Sequence, residues 1–101
     1  MYNSCMVTNM KEIKGYEGLY KITDTGKVWS VKKQKFLTHD HDRTGYERVT
    51  LSNNKVGRRF FVHRLVYTAF CGEIPSGLYI NHKNEIKTDN RVENLELVTC
   101  Q

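Results

Sequence analysis

The chain has a single proline, Pro75, only three cysteines and no long apolar run. One proline beside 11% aromatic and 39% hydrophobic residues argues against a disordered chain and for a packed fold. No stretch approaches the roughly 18 apolar residues of a membrane span. Residues 1–10 lack a basic segment leading into an apolar run, so no secretory signal is read. Cys5, Cys71 and Cys100 are odd in number and far apart, forming neither a CxxC half-site nor a disulfide framework. No structural zinc is expected, and reduced thiols in a cytoplasmic protein are the simplest reading.

What is present is charge, unevenly placed. The net +5 divides into a middle, residues 32–64, with nine Lys/Arg against three Asp/Glu, and an end, residues 65–101, with three against five. A basic middle can follow a phosphate backbone, and an acidic end can belong to a metal-dependent centre. An ordinary solvated surface has the same charge pattern.

Turn signals recur often and apolar runs are short, which favours strands over long helices. Leu19–Thr23 and Lys27–Val31 flank Asp24-Thr25-Gly26, a hairpin turn. Tyr46–Ser52 alternates, with Val49 and Leu51 on one face and Arg48 and Thr50 on the other. Asn53 to Gly57 supplies a turn, and Arg58–His63 returns. From Arg64 to Phe70 the period becomes helical, with Leu65, Val66, Ala69 and Phe70 on one face, until Gly72, Pro75 and Gly77 open a loop. Leu78–His82 reads as a short strand and Lys83 to Asp89 as a polar loop. Asn90, three residues before Glu93, has the spacing of a helix N-cap with its reciprocal carboxylate, predicting one helical turn at 91–94. Leu95–Thr99 then returns as a strand, its Leu95, Leu97 and Thr99 sharing a face.

Hydrolysis of a phosphodiester needs a water activated for in-line attack and a counter-charge for the leaving oxygen. His82 at a strand end can supply the first. Asn81 beside it offers a neutral oxygen ligand for hard Mg²⁺ or Mn²⁺. Asn94, twelve residues after His82, can hold the loop backbone or the histidine by hydrogen bonds. By itself the Asn-His pair is more often the pattern of a turn asparagine and a structural histidine.

The phrases Val62-His63-Arg64-Leu65-Val66, Ile80-Asn81-His82-Lys83, Lys87-Thr88-Asp89-Asn90 and Val92-Glu93-Asn94-Leu95, in this order and spacing, together resemble the HNH endonucleases of phage and intron origin, the homing and nicking type. Ile13-Lys14-Gly15-Tyr16-Glu17-Gly18-Leu19-Tyr20, followed by Gly26-Lys27-Val28, resembles the small module that precedes the nuclease motif in that family. The likeness covers roughly residues 11–100. It implies a ββα-metal site in which His82 is the general base, Asn81 binds the metal where many members have aspartate, and Asn94 orients the site. A phage-encoded protein in a bacterial host follows from the same likeness. Two departures stand out. Lys83-Asn84-Glu85-Ile86 lacks the Asp-Gly often found after the histidine, and the α element with the last metal ligand falls beyond Gln101, so the motif is expected to lack its final helix.

The expected fold is α+β: antiparallel hairpins with a short helix, followed by the ββ portion of the metal motif. Residues 1–10 form a tail, 11–45 a β-rich DNA-binding module and 46–101 the nuclease domain. Arg58, Arg59 and Arg64, with Lys32, Lys33, Lys35 and Arg43, are the expected contacts to double-stranded DNA. His39-Asp40-His41-Asp42 reads as a polar loop rather than a metal site, and His63 as a packing or hydrogen-bonding residue at a strand–helix junction rather than a second catalytic histidine. Trp29, Tyr16, Tyr20 and Phe36 are expected in the core of the N-terminal sheet. The functional expectation is a monomeric, Mg²⁺- or Mn²⁺-dependent nicking endonuclease. The alternative is a catalytically inactive, truncated DNA-binding relative.

Overall fold

β-branched and aromatic residues alternating between tight turns produce three antiparallel sheets, seen in a computed structural model that describes residues 10–99. β1 (Met10–Glu12), β2 (Tyr20–Thr23), β3 (Val28–Ser30) and β4 (Lys35–Phe36) pair in chain order. β5 (Asp40–His41), β6 (Glu47–Asn53) and β7 (Val56–Phe61) form the second sheet. After helix α1 (Val62–Phe70), β8 (Leu78–His82) and β9 (Leu95–Thr99) form the third. The α+β architecture with antiparallel hairpins is as expected.

The β2–β3 hairpin closes through Thr23, whose amide donates to the Lys27 carbonyl at 2.8 Å and whose hydroxyl accepts from the Lys27 amide at 2.8 Å. The turn expected over residues 53–57 is tighter than that. Asn53 pairs with Val56, leaving Asn54 and Lys55 at φ 54° and 67°, the handedness a two-residue hairpin needs. Helix α1 begins two residues before the expected Arg64, directly from the strand. Val62 and Val66, one turn apart, are both fully buried, and this shared face outweighs the missing side-chain cap at Phe61.

Helix α1 lies where the sheets meet and packs on β1, β2, β6, β7 and β8. Ile22 and Val28 from the first sheet, Val49 and Leu51 from the second, and Ile80 and Leu95 from the third enclose Val62 and Val66 in one core. Full burial of each such side chain contributes about 1.5–3 kcal/mol. The N-terminal sheet therefore shares its core with the residues that follow it.

Three local expectations are corrected. Tyr16 is buried and Tyr20 packs against the core, but Trp29 and Phe36 stack edge to face at 4.9 Å outside it. Val28 and Ser30 point inward, so the residue between them must point out. The stretch His39–Asp42 is not a loop throughout: Asp40 and His41 pair with Arg48 and Glu47 as an edge strand. Arg48 fastens that edge by donating to the Asp40 carboxylate at 3.2 Å and the His41 carbonyl at 3.1 Å.

Asn90 does not cap a helix. The helical turn is a single 3₁₀ turn, Val92–Asn94, preceded by Arg91 with no side-chain cap, and Glu93 pairs with Arg91 at 3.4 Å. The Val92 amide donates instead to the Asp24 carbonyl at 2.8 Å. With that donor satisfied from the β2–β3 turn, the Asn90 side chain is free to turn inward. Cys5 and Cys100 lie outside the described residues, and Cys71 is exposed as a free thiol. Among the described residues no helix is long and apolar enough to cross a membrane.

Candidate functional site

Strand β8 delivers Asn81 and His82 in succession, and the pleat sends them to opposite faces. His82 is inside, 4% exposed, while Asn81 is at the surface. The His82 Nε2 atom is 2.7 Å from Oδ1 of Asn90, and Nδ2 of Asn90 donates to Oε1 of Glu47 at 2.8 Å. The other ring nitrogen of His82, Nδ1, has no partner among the described residues and is not sealed from solvent. Tyr46 and His63 flank the ring at centroid distances of 5.7 and 5.3 Å.

His63 is the second residue of α1, at the strand–helix junction, and its Nδ1 is buried without a partner. Burial, reinforced by the neighbouring His82 and Arg64, pushes its pKa down to about 4. It is a neutral packing group at ordinary pH. Of the two roles read from its position, packing and hydrogen bonding, the structure shows packing at Nδ1.

Asn94 organises the loop between β8 and the 3₁₀ turn. Its Nδ2 donates to Oδ1 of Asn84 at 3.0 Å and to the Asp89 carbonyl at 2.8 Å, while its Oδ1 accepts from the Asn84 amide at 3.2 Å. The Lys83 amide closes the loop onto the Asn94 carbonyl at 2.8 Å. Hydrogen bonds from Arg91 at 2.7 and 2.8 Å hold the Asp89 carboxyl well below the usual carboxylate range. The turn missing its Asp-Gly is completed by Glu85 at φ 63°, a conformation a glycine would take without strain. Asn94 thus holds the loop, and the bond to His82 comes from Asn90.

Asn81 donates through Nδ2 to Oε2 of Glu96 at 2.8 Å, directly across the β8–β9 pair. Sequence reasoning missed Glu96, Glu47 and Asn90. The first was readable by counting strand register back from Leu95 to His82. Among the described residues no group of three His, Cys, Asp or Glu converges as a metal cluster.

The basic residues lie on exposed turns and strands. Lys32 and Lys33 occupy the β3–β4 turn, Lys35 is on β4, Arg43 is in the β5–β6 turn, Arg58 and Arg59 are on β7, and Arg64 is on α1. None of the seven forms an ion pair with a described residue. Arg58 pairs with inward-facing Leu51 and Arg59 with outward-facing Thr50, so the two arginines leave β7 on opposite faces. Lys33, Lys35, Arg48 and Thr50 line a surface cavity of about 330 Å³.

Comparison with known proteins is concordant over both halves. Residues 60–101 match the HNH endonuclease family and residues 11–52 match the NUMOD4 motif. The chain is 44% identical over 89 residues to the DNA endonuclease I-HmuI of Bacillus phage SP01, covering 88% of this chain and 51% of that protein. It is 33% identical over 95 residues to the H-N-H endonuclease F-TflII of Escherichia phage T5, covering 92% of this chain and 49% of that protein. A solved structure of the HNH homing endonuclease I-HmuI, from work on its DNA binding and cleavage, superposes with a TM-score of 0.84 at 43% identity. That match covers 90% of this chain and 52% of the other. The chain spans about half the length of these relatives. With its two motifs in this order and a fold shared with I-HmuI, the chain carries an HNH endonuclease motif over residues 60–101, with a NUMOD4 motif over residues 11–52 ahead of it.

Proposed function

We propose that this chain carries the centre of a divalent-metal-dependent DNA endonuclease that nicks one strand, with His82 as general base. One observation carries the reading: His82 is anchored through Nε2 while Nδ1 is not sealed from solvent, at the end of the strand that also presents Asn81. A water at that edge would lose its proton to Nδ1 as it attacks the phosphorus. Tyr46 and His63, packed against the ring, keep its plane fixed.

The donor chemistry at Asn81 fits a hard cation. Asn81 brings a carbonyl oxygen and Glu96 a carboxylate within 2.8 Å of its amide, both suited to Mg²⁺ or Mn²⁺. Asn81 alone brings no charge, so Glu96 would supply the anionic share. Bound there, the ion would offset charge on the scissile phosphate and the leaving 3′-oxygen. Asn94 keeps the loop beside the base in one conformation.

Residues 11–45 would add DNA contacts to a nuclease centre in 46–101. Seven cations without carboxylate partners among the described residues, Lys32, Lys33, Lys35, Arg43, Arg58, Arg59 and Arg64, are available to phosphates. The relatives' names as DNA endonucleases support the same substrate. A second reading, DNA binding without cleavage, is favoured by the sparse donor set, in which no three His, Cys, Asp or Glu converge among the described residues.

The experiment is nicking of supercoiled plasmid with Mg²⁺ or Mn²⁺ and with chelator, comparing wild type with His82→Ala. Metal-dependent nicking that disappears in the variant is expected. Equal nicking by the two proteins refutes the base. Salt-sensitive binding with no cleavage at any metal concentration selects the second reading.

A further inference from the structure

Asn90 reaches His82 from the far side of its loop, is 2% exposed, and joins it to a carboxylate forty-three residues away in sequence. The chemistry of the three groups gives this chain a direction. A carboxylate can only accept, so Nδ2 of Asn90 faces Glu47, at 2.8 Å. The oxygen end of the amide is then turned to Nε2 of His82, at 2.7 Å, and a carbonyl oxygen can only accept. Nε2 must therefore carry the hydrogen. A neutral imidazole has only one N–H, so Nδ1 keeps its lone pair, and Nδ1 is the nitrogen not sealed from solvent.

We propose that Glu47 and Asn90 are positioning residues that fix the tautomer of His82, holding the proton on Nε2 and leaving Nδ1 as the acceptor. The inference rests on the reading of His82 as base for its consequence, though not for its geometry. His39 Nδ1 and His41 Nε2 lie 3.6 and 3.9 Å from the two carboxylate oxygens of Glu47. The N-terminal sheet closes the arrangement from above. A Cβ added to Gly26 would lie 2.8 Å from Cβ of Asn90, so the β2–β3 turn sits directly on this asparagine. The NUMOD4 half of the chain thereby forms one wall of the site instead of serving only as a DNA contact.

The test reads the tautomer directly, by long-range ¹H–¹⁵N correlation on the ¹⁵N-labelled full chain at a pH where the imidazole is neutral. Wild type is expected to show His82 protonated on Nε2. A proton on Nδ1 overturns the proposal whatever His82→Ala does to cleavage, since that variant tests the base alone. In Glu47→Gln the side chain can donate as well as accept, so the direction of Asn90 is released. Both tautomers should appear, with cleavage about ten- to a hundredfold slower at unchanged DNA affinity. The double variant Glu47→Gln with Asn90→Asp restores a one-way chain, Gln donating to Asp and Asp accepting from Nε2, and should recover the single tautomer. Glu47→Gln with a wild-type tautomer, or mixed tautomers with wild-type cleavage, overturns the proposal.

Discussion

His63 illustrates how a histidine packed against another, here His82 at a ring-centroid distance of 5.3 Å, can be kept neutral. Burial, with His82 and Arg64 nearby, lowers its pKa from 6.5 to about 4, and its Nδ1 has no partner. Between those values the unfolded chain binds more protons than the folded one. This contribution to stability is therefore complete above about pH 6.5 and is lost as pH falls toward 4. Urea titrations near neutral pH and about one and a half units lower check this. Wild type should lose more stability across that interval than His63→Phe, and equal losses would contradict the burial argument. The sequence placed His63 between a strand and a helix but left packing and hydrogen bonding both open, and burial of its unpartnered Nδ1 decides for packing. The partners of His82 were not legible: Asn90 carries a local N-cap signature, and only contacts with Gly26 and Glu47, distant in sequence, turn it inward.

Among the elements, hairpins were the most legible because their information is local. Asp24-Thr25-Gly26 and the Asn-rich turn after β6 state the reversal in three or four residues, and alternation assigns Val49 and Leu51 to the core. Legibility failed where the pleat overrode residue character, as with Trp29 between two inward positions, and where an edge strand was written in polar residues, as at Asp40 and His41. The β2–β3 turn supplies a prediction at this scale. Gly26 combines φ 93° with the close approach to Asn90, whereas Gly15, at φ 89°, has nothing within 4 Å of its added Cβ. Gly26→Ala should cost about 2–3 kcal/mol by denaturant titration, and Gly15→Ala about 1–2, the backbone strain alone. Equal losses would show that the turn does not press on Asn90.

For the molecule as a whole, charge was legible in kind but not in geometry. The basic middle is present as seven cations without ion-pair partners among the described residues, yet Arg58 and Arg59, adjacent in sequence, diverge across β7. They therefore belong to different parts of any DNA footprint. Binding to duplex DNA measured against salt should give a slope of about −0.9 per phosphate contacted, and Arg59→Ala should reduce it by about one. An unchanged slope would remove Arg59 from the interface. The three sheets meeting on one helix tie the surroundings of His82 to the N-terminal sheet, so changes at Gly26 should be felt at His82.

The central claim is that His82 takes the proton from the attacking water. Its most direct test is the rate of strand cleavage by the full 101-residue chain with Mn²⁺, at equal DNA occupancy, for wild type and His82→Ala. The account predicts a loss of about a hundredfold or more at unchanged DNA affinity. Equal rates in the two proteins would contradict it.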